Sequence, residues 1–277
     1  MTLNNTYPKK LYRFEQATES RCDTLRSQQL WASSPVMFND LNDCQVQFNP
    51  SANLVFESSK ILGAIDILYP NGEIPENSLL TDDILGALRR YFKNYSGKST
   101  QAKLSIHRIP ENIRKKIRES TAVCCFFSEQ PNSALMWAHY ADNHKGFCVE
   151  YEVIKTPKDL YEVKYSSKLP YFSPSELLFS PRETFIRIVT EKAMEWAYEK
   201  EYRIIKLRAV RPYYYGVIID FPDWLKPTKV IMGVKLSSST GENSYTHVSN
   251  VAARLKVSLC RVKSDYGKMS IETIIDR

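Results

Sequence analysis

Lys10-Leu11-Tyr12-Arg13-Phe14 concentrates apolar and aromatic residues over the length of a short strand. Glu15 to Leu30 follows with helix formers at surface spacing and predicts a helix. Leu30-Trp31-Ala32 returns to a strand pattern, Ser33-Ser34-Pro35 leads it into a loop, and Asn39-Asp40-Leu41-Asn42-Asp43 reads as a turn, because short Asn and Asp side chains bond their own backbone. From about 57 to 120 the spacing is helical. Ile84, Leu85, Leu88, Tyr91 and Phe92 share one face behind an N-cap at Thr81 or Asp82, and Pro110 opens a second helix with Ile113 and Ile117 inward. These residues predict a helical insertion between two strand-rich parts.

Ala122 to Ser128 is an almost continuous apolar run, the pattern of a strand buried on both faces. A short helical turn holds Met136 to Tyr140. Gly146 to Val153 then alternates Phe147, Val149, Tyr151 and Val153 against Cys148, Glu150 and Glu152, which predicts a strand with one face on a core. Prolines at 157, 170, 174 and 181 predict a long loop with one strand near Val163 to Tyr165. A helix after Pro181 is expected to bury Phe185, Val189, Ala193 and Trp196, with Trp196 as a core anchor. Strands through Arg203 to Leu207, Gly216 to Phe221 and Lys229 to Val234, a helix over Ser244 to Leu255 and a strand from Val257 complete the pattern. The fold class this predicts is α+β: one domain over 1–277, a strand-rich core of mixed or antiparallel sheets, and the helical insertion.

Composition narrows this picture. With 43% apolar and 12% aromatic residues the chain can bury a sizeable core. No segment has the length of apolar sequence that spans a bilayer, and the first ten residues lack the pattern of a cleaved leader, so a cytoplasmic protein without a membrane partner is expected. The six cysteines form no CxxC pair and predict cytosolic thiols. The net charge of +7 suits phosphate-bearing partners but is spread along the chain. With nine glycines in the chain and no glycine-rich phosphate loop, P-loop and Rossmann enzymes are disfavoured.

Two segments concentrate chemistry. In Tyr198-Glu199-Lys200-Glu201-Tyr202-Arg203 an extended backbone would set Glu199, Glu201 and Arg203 on one face, a set able to hold a cationic transition state; the alternative is a surface ion pair. Met136 to Gly146 crowds Trp137, His139, Tyr140, Asp142, His144 and Lys145 together. The interval between the two histidines is not that of a helical metal pair, so no metal site is expected. Arg13, within an apolar strand, must reach water or meet an anion.

In order, LYRF, LWASSPVMFND, CFFSE, LMWAHYADNHKGFCVEYE and WAYEKEYRI resemble the markers of a bacterial domain-of-unknown-function family, number twenty-nine seventy-one. That family usually carries proline after the Asn-Asp pair, where this chain has Leu41. A more distant resemblance is to ADP-ribosyltransferases, which order a strand-borne Arg or His, a Ser or Tyr and a Glu-x-Glu as Arg13, Ser128 and Glu199 to Glu201 are ordered here. It implies NAD as substrate and transfer of ADP-ribose to a macromolecule or nucleotide, in a toxin or phage-defence setting. By that resemblance Glu201, Glu199 and Arg13 are catalytic: Glu201 holds the ribosyl cation, Glu199 the acceptor. Arg13, Ser128, Trp137, His139, Tyr140 and Arg203 are then the nucleotide contacts. The implied acceptor is a nucleic acid, nucleotide or protein. The alternatives are a metal-dependent nuclease using His139, Asp142 and His144 with Asp40 or Asp43, and a non-catalytic binding module.

Overall fold

The computed structural model describes residues 7–44, 47–48, 121–129, 131–168, 170–172, 180–207, 215–237, 242–266 and 268–275, with the single positions Gly86, Arg89, Glu111, Lys115, Ile117 and Glu176. The expected helical insertion, including its Ile84 to Phe92 face, otherwise lies outside the described residues.

The described chain is α+β, built on one ten-stranded mixed sheet. Strand β1 is Lys10–Glu15, β2 Gln29–Ser33, β3 Gln47–Phe48, β4 Thr121–Phe127, β5 Phe147–Val153, β6 Leu160–Glu162, β7 Lys164–Ser166, β8 Tyr171–Phe172, β9 Glu191–Ala193, β10 Glu201–Leu207, β11 Gly216–Asp220, β12 Leu225–Met232, β13 Ser258–Asp265 and β14 Lys268–Ile275. The helices are α1 Glu19–Arg26, α2 Ala134–Tyr140, α3 Pro181–Thr190 and α4 Glu242–Leu255. The main sheet runs β11-β2-β4-β1-β5-β12-β13-β14, with β10 on β4 and β6 on β10. Its pairs are antiparallel except β12 with β13, which α4 connects as a crossover must.

Alternation along the strands assigns the two faces. Tyr12 pairs with Phe127 and Phe127 with Glu201, so Tyr12, Phe14, Cys125, Phe127, Glu201 and Arg203 point one way. Part of that face packs with Met136 and Trp137 of α2 into one core cluster. Leu11, Arg13 and Glu15 point the other way, toward the larger core, where Cys22 and Leu25 of α1 and Val248, Val251 and Ala252 of α4 meet Phe126, Tyr151 and Val230.

Several elements differ from their sequence pattern for identifiable reasons. Helix α1 starts only at Glu19, because Glu15 still belongs to β1 and Thr18 is the N-cap. β5 is buried on both faces over its first five residues, since it runs between β1 and β12. Its inward Glu150 is tied down by Lys10 at 3.1 Å, the Tyr12 hydroxyl at 3.1 Å and the Thr228 hydroxyl at 2.9 Å. Gly146 is required where the chain enters β5: a Cβ there would stand 2.2 Å from the Glu15 carbonyl oxygen. Helix α3 ends at Thr190, so Ala193 and Trp196 leave its face. Trp196 is half-buried in a 3₁₀ segment, Met194–Glu199, and is no core anchor.

A candidate active site at a split in the sheet

β10 pairs with one edge of β4 along its whole length. The other edge is shared. β2 meets it only at Ser33 opposite Val123, and β1 only at Tyr12 opposite Phe127. At Cys125, between these points, neither strand completes the ladder, and the Arg13 guanidinium fills the gap. Its Nη1 donates to the Cys125 carbonyl at 3.0 Å and its Nη2 to the Trp31 carbonyl at 2.7 Å. Nε donates to Glu15 at 2.6 Å, and Nη1 also reaches the Cys124 sulfur. Arg13 therefore satisfies backbone carbonyls that a continuous sheet would have paired.

A cavity of about 360 Å³ opens at this split. Arg13, Glu15, Arg21, Trp31, Phe38, Asn39, His139, Tyr140 and Tyr215 line it, bringing side chains from both faces of the sheet together. Arg21 lies over the Trp31 ring at 4.8 Å and 3.9 Å from Glu15. Its Nη1 is buried without a hydrogen-bond partner among the described residues. Burial pushes its pKa below the usual arginine value, and the Arg13 charge adds to that effect. A pocket that holds two guanidiniums against aromatic rings, with Glu15 as the carboxylate among its described lining, favours an anion carrying a planar ring.

Behind Tyr140 lies a buried charge network. Arg203, fully buried, donates to Glu201 at 2.7 and 3.0 Å, to Asp43 at 2.9 and 2.5 Å and to the Val189 carbonyl at 2.6 Å. Lys192 donates to Glu199 at 2.7 Å and Glu201 at 3.2 Å, lies 3.8 Å from Asp43 and sits under the Trp196 ring at 4.7 Å. The Tyr140 hydroxyl donates to Glu199. Three carboxylates thus face two cations, and the surplus negative charge falls on the one without an arginine. Burial pushes Glu199 up to about 7 against the pull of Lys192, with Glu201 adding to the rise. Burial opposes the Glu201 charge too, but Arg203 and Lys192 outweigh it and hold that carboxylate at about 2.

The structure divides the residues singled out in the sequence. Arg13, His139 and Tyr140 line the cavity. Glu201 and Arg203 are sealed in the network on the opposite face of the sheet from Arg13, so Arg13, Ser128 and Glu201 do not form one constellation. Ser128 donates to the Lys200 carbonyl at 3.2 Å, outside the cavity's described lining. Trp137 is a fully buried core residue whose indole donates to the Pro131 carbonyl at 2.8 Å. Glu199 touches the cavity only through Tyr140. Among the described residues no three His, Cys, Asp or Glu side chains converge as metal ligands; Asp43 is held by Arg203 and Asp142 lines a different cavity. Sequence reading missed Glu15, Arg21 and Lys192, and named Asp43 only for the nuclease alternative. Glu15 was legible as the next inward position after Arg13 on a period of two, whereas Lys192 carried no local signal.

Residues 136–204 match the model of a family described as "Protein of unknown function (DUF2971)". The match covers Tyr140, Lys192, Glu199, Glu201 and Arg203, one of the cavity's described phenols and most of the network behind it. No curated protein and no solved structure matches the chain.

Proposed function

We propose that the split in the sheet is a nucleotide site and that the protein is a transferase acting on NAD, with the Tyr140–Glu199 pair as its base. The observation that supports this most is the joint presence, in one cavity, of Arg21 stacked on Trp31, its Nη1 without a partner among the described residues, and of a tyrosine hydrogen-bonded to a carboxylate whose pKa is raised to about 7. The first suits an aromatic phosphate ester. The second suits removal of a proton from an acceptor hydroxyl.

In that reaction the bond between nicotinamide and ribose breaks and nicotinamide leaves with the bonding pair. The acceptor oxygen bonds to the ribose carbon. The acceptor's proton passes to the Tyr140 oxygen as the Tyr140 proton passes to Glu199. The Glu15 carboxylate, in the cavity wall, faces the developing positive charge. Glu201 takes no direct part: with Arg203 and Lys192 it sets the field in which Glu199 titrates.

The test is incubation with NAD and candidate acceptors, following nicotinamide. Release is expected to rise with pH through about 7 as Glu199 ionises. Tyr140→Phe is expected to lower the rate by about 10²- to 10⁴-fold and leave NAD affinity nearly unchanged. Binding of NAD without release from the wild-type protein would make this a binding module; no binding of any nucleotide would overturn the reading.

A further inference from the structure

β14 closes one end of the main sheet: β13 pairs with one of its edges, and among the described residues no strand pairs with the other. Of its eight residues seven are exposed, and Met269 is half-buried. β13 is exposed as well from Lys263 to Asp265, so this end of the hairpin stands clear of both cores. A two-stranded ribbon in water is marginal by itself, and a free edge of this length offers its unpaired N–H and C=O groups to another strand. Edges that stay unpaired are commonly guarded by proline or by charge; β14 has no proline and carries one charge of each sign, Lys268 and Glu272. Alternation sets Met269, Ile271 and Thr273 on one face, behind Ser264, Val262 and Cys260 of β13, and Lys268, Ser270 and Glu272 on the other. Ile271 is 40% exposed.

We infer that β14 is the contact of a homodimer, pairing antiparallel with β14 of a second copy so that two sheets become one. A two-fold axis normal to the sheet keeps each face continuous, so opposed residues share a face and the axis passes through a residue. The ladder with β13 is regular from Lys268 to Thr273 and slips before Ile275. Within that span, an axis through Ser270 or through Ile271 keeps the most residues paired. Centred on Ser270, Lys268 stands opposite Glu272 of the second copy and Met269 opposite its Ile271, and two-fold symmetry repeats both pairs. Centred on Ile271, Met269 would meet Thr273 and Ser270 would meet Glu272, which leaves both charges unmatched. Charge complementarity therefore selects the axis through Ser270. Glu272 already receives Lys263 of its own copy on Oε2 at 2.7 Å, yet its side chain is 53% exposed, and a carboxylate can accept from two cations through its two oxygens. The surface covered is small, so the association is expected to be reversible.

Sedimentation equilibrium of the full chain over a concentration series is expected to show a monomer–dimer equilibrium. Lys268→Glu or Glu272→Lys alone turns both attractive pairs into repulsive ones and is expected to weaken the dimer about tenfold, with an unchanged circular dichroism spectrum. An equimolar mixture of the two variants restores both attractive pairs and is expected to regain wild-type dimerisation. Neither a folding defect nor loss of the Lys263 pair would be repaired by mixing. Ser270→Cys is expected to cross-link two copies under mild oxidation faster than Ile271→Cys, because the residue on the axis faces its own counterpart. A wild-type protein that stays monomeric at every concentration would overturn the inference, as would a dimer indifferent to both charge reversals or a mixture that associates no better than either variant alone. Faster cross-linking through Ile271→Cys would overturn the register and with it the Lys268–Glu272 contact.

Discussion

Arg203→Ala is expected to lose about 3 to 5 kcal/mol of stability, the loss typical when one partner is removed from a buried ion pair and the other is left uncompensated. Among the described residues Asp43 would keep Lys192 at 3.8 Å as its counter-ion and Glu201 would keep Lys192 at 3.2 Å, and the Val189 carbonyl would lose its guanidinium donor. Chemical denaturation followed by tryptophan fluorescence measures the loss; a change below about 1 kcal/mol, the range of surface ion pairs, would show that the network is not sealed. The same network sets a pH dependence with two opposing limbs. Glu201, lowered from 4.5 to about 2, contributes stability that is present above its unfolded pKa and is lost as pH falls from about 4.5 toward 2. Glu199, raised from 4.5 to about 7, contributes stability that is complete below about 4.5 and is lost as pH rises through 7. Glu201→Gln should therefore flatten the acid limb of a melting curve against pH, and Glu199→Gln the neutral limb. Identical profiles for the two variants would contradict the assignment of the surplus charge to Glu199.

The fold class and most strand positions were legible because local alternation and apolar runs are set by the pleat itself, as in Thr121–Phe127 and Gly216–Asp220. Where reading failed, long-range pairing had overridden local pattern. Cys148 and Glu150 alternate with apolar residues as if exposed, yet β5 is central and Glu150 is buried among partners contributed by β1 and β12. Glu201 and Arg203 share a strand face as expected, but Glu199 ends the 3₁₀ segment before a left-handed Lys200 and joins them through Lys192, and the sequence near them names neither Asp43 nor Lys192, which the topology brings from the turn after β2 and from β9. A triplet read as a set able to hold a cationic transition state, or as a surface ion pair, is a buried five-membered network with Tyr140 between it and the cavity. Arg13 was recognised as needing an anion or water. Its other partners, two strand carbonyls at a gap, could not be foreseen without the registers of β1 and β2 on β4.

That gap carries the remaining large expected effect. Arg13→Ala should cost about 3 to 5 kcal/mol, because among the described residues it leaves buried Glu15 the more distant Arg21 as its one counter-ion. The Trp31 and Cys125 carbonyls lose their guanidinium donor at the same time. Arg13→Lys keeps a charge but has no planar fork able to reach Glu15 and two carbonyls on separate strands at once, so it should recover part of the loss and not all of it. Denaturant unfolding of the three proteins orders them, and amide exchange at β2 and β4 localises the effect: the strands flanking the split should lose protection before the fully paired β4–β10 ladder does. A different pattern would reassign the residue. If Arg13→Ala unfolds at the wild-type midpoint but no longer binds NAD, Arg13 is a ligand contact that the sheet can spare, and the cavity takes its anion from Arg13 and Arg21 together rather than from Arg21 alone.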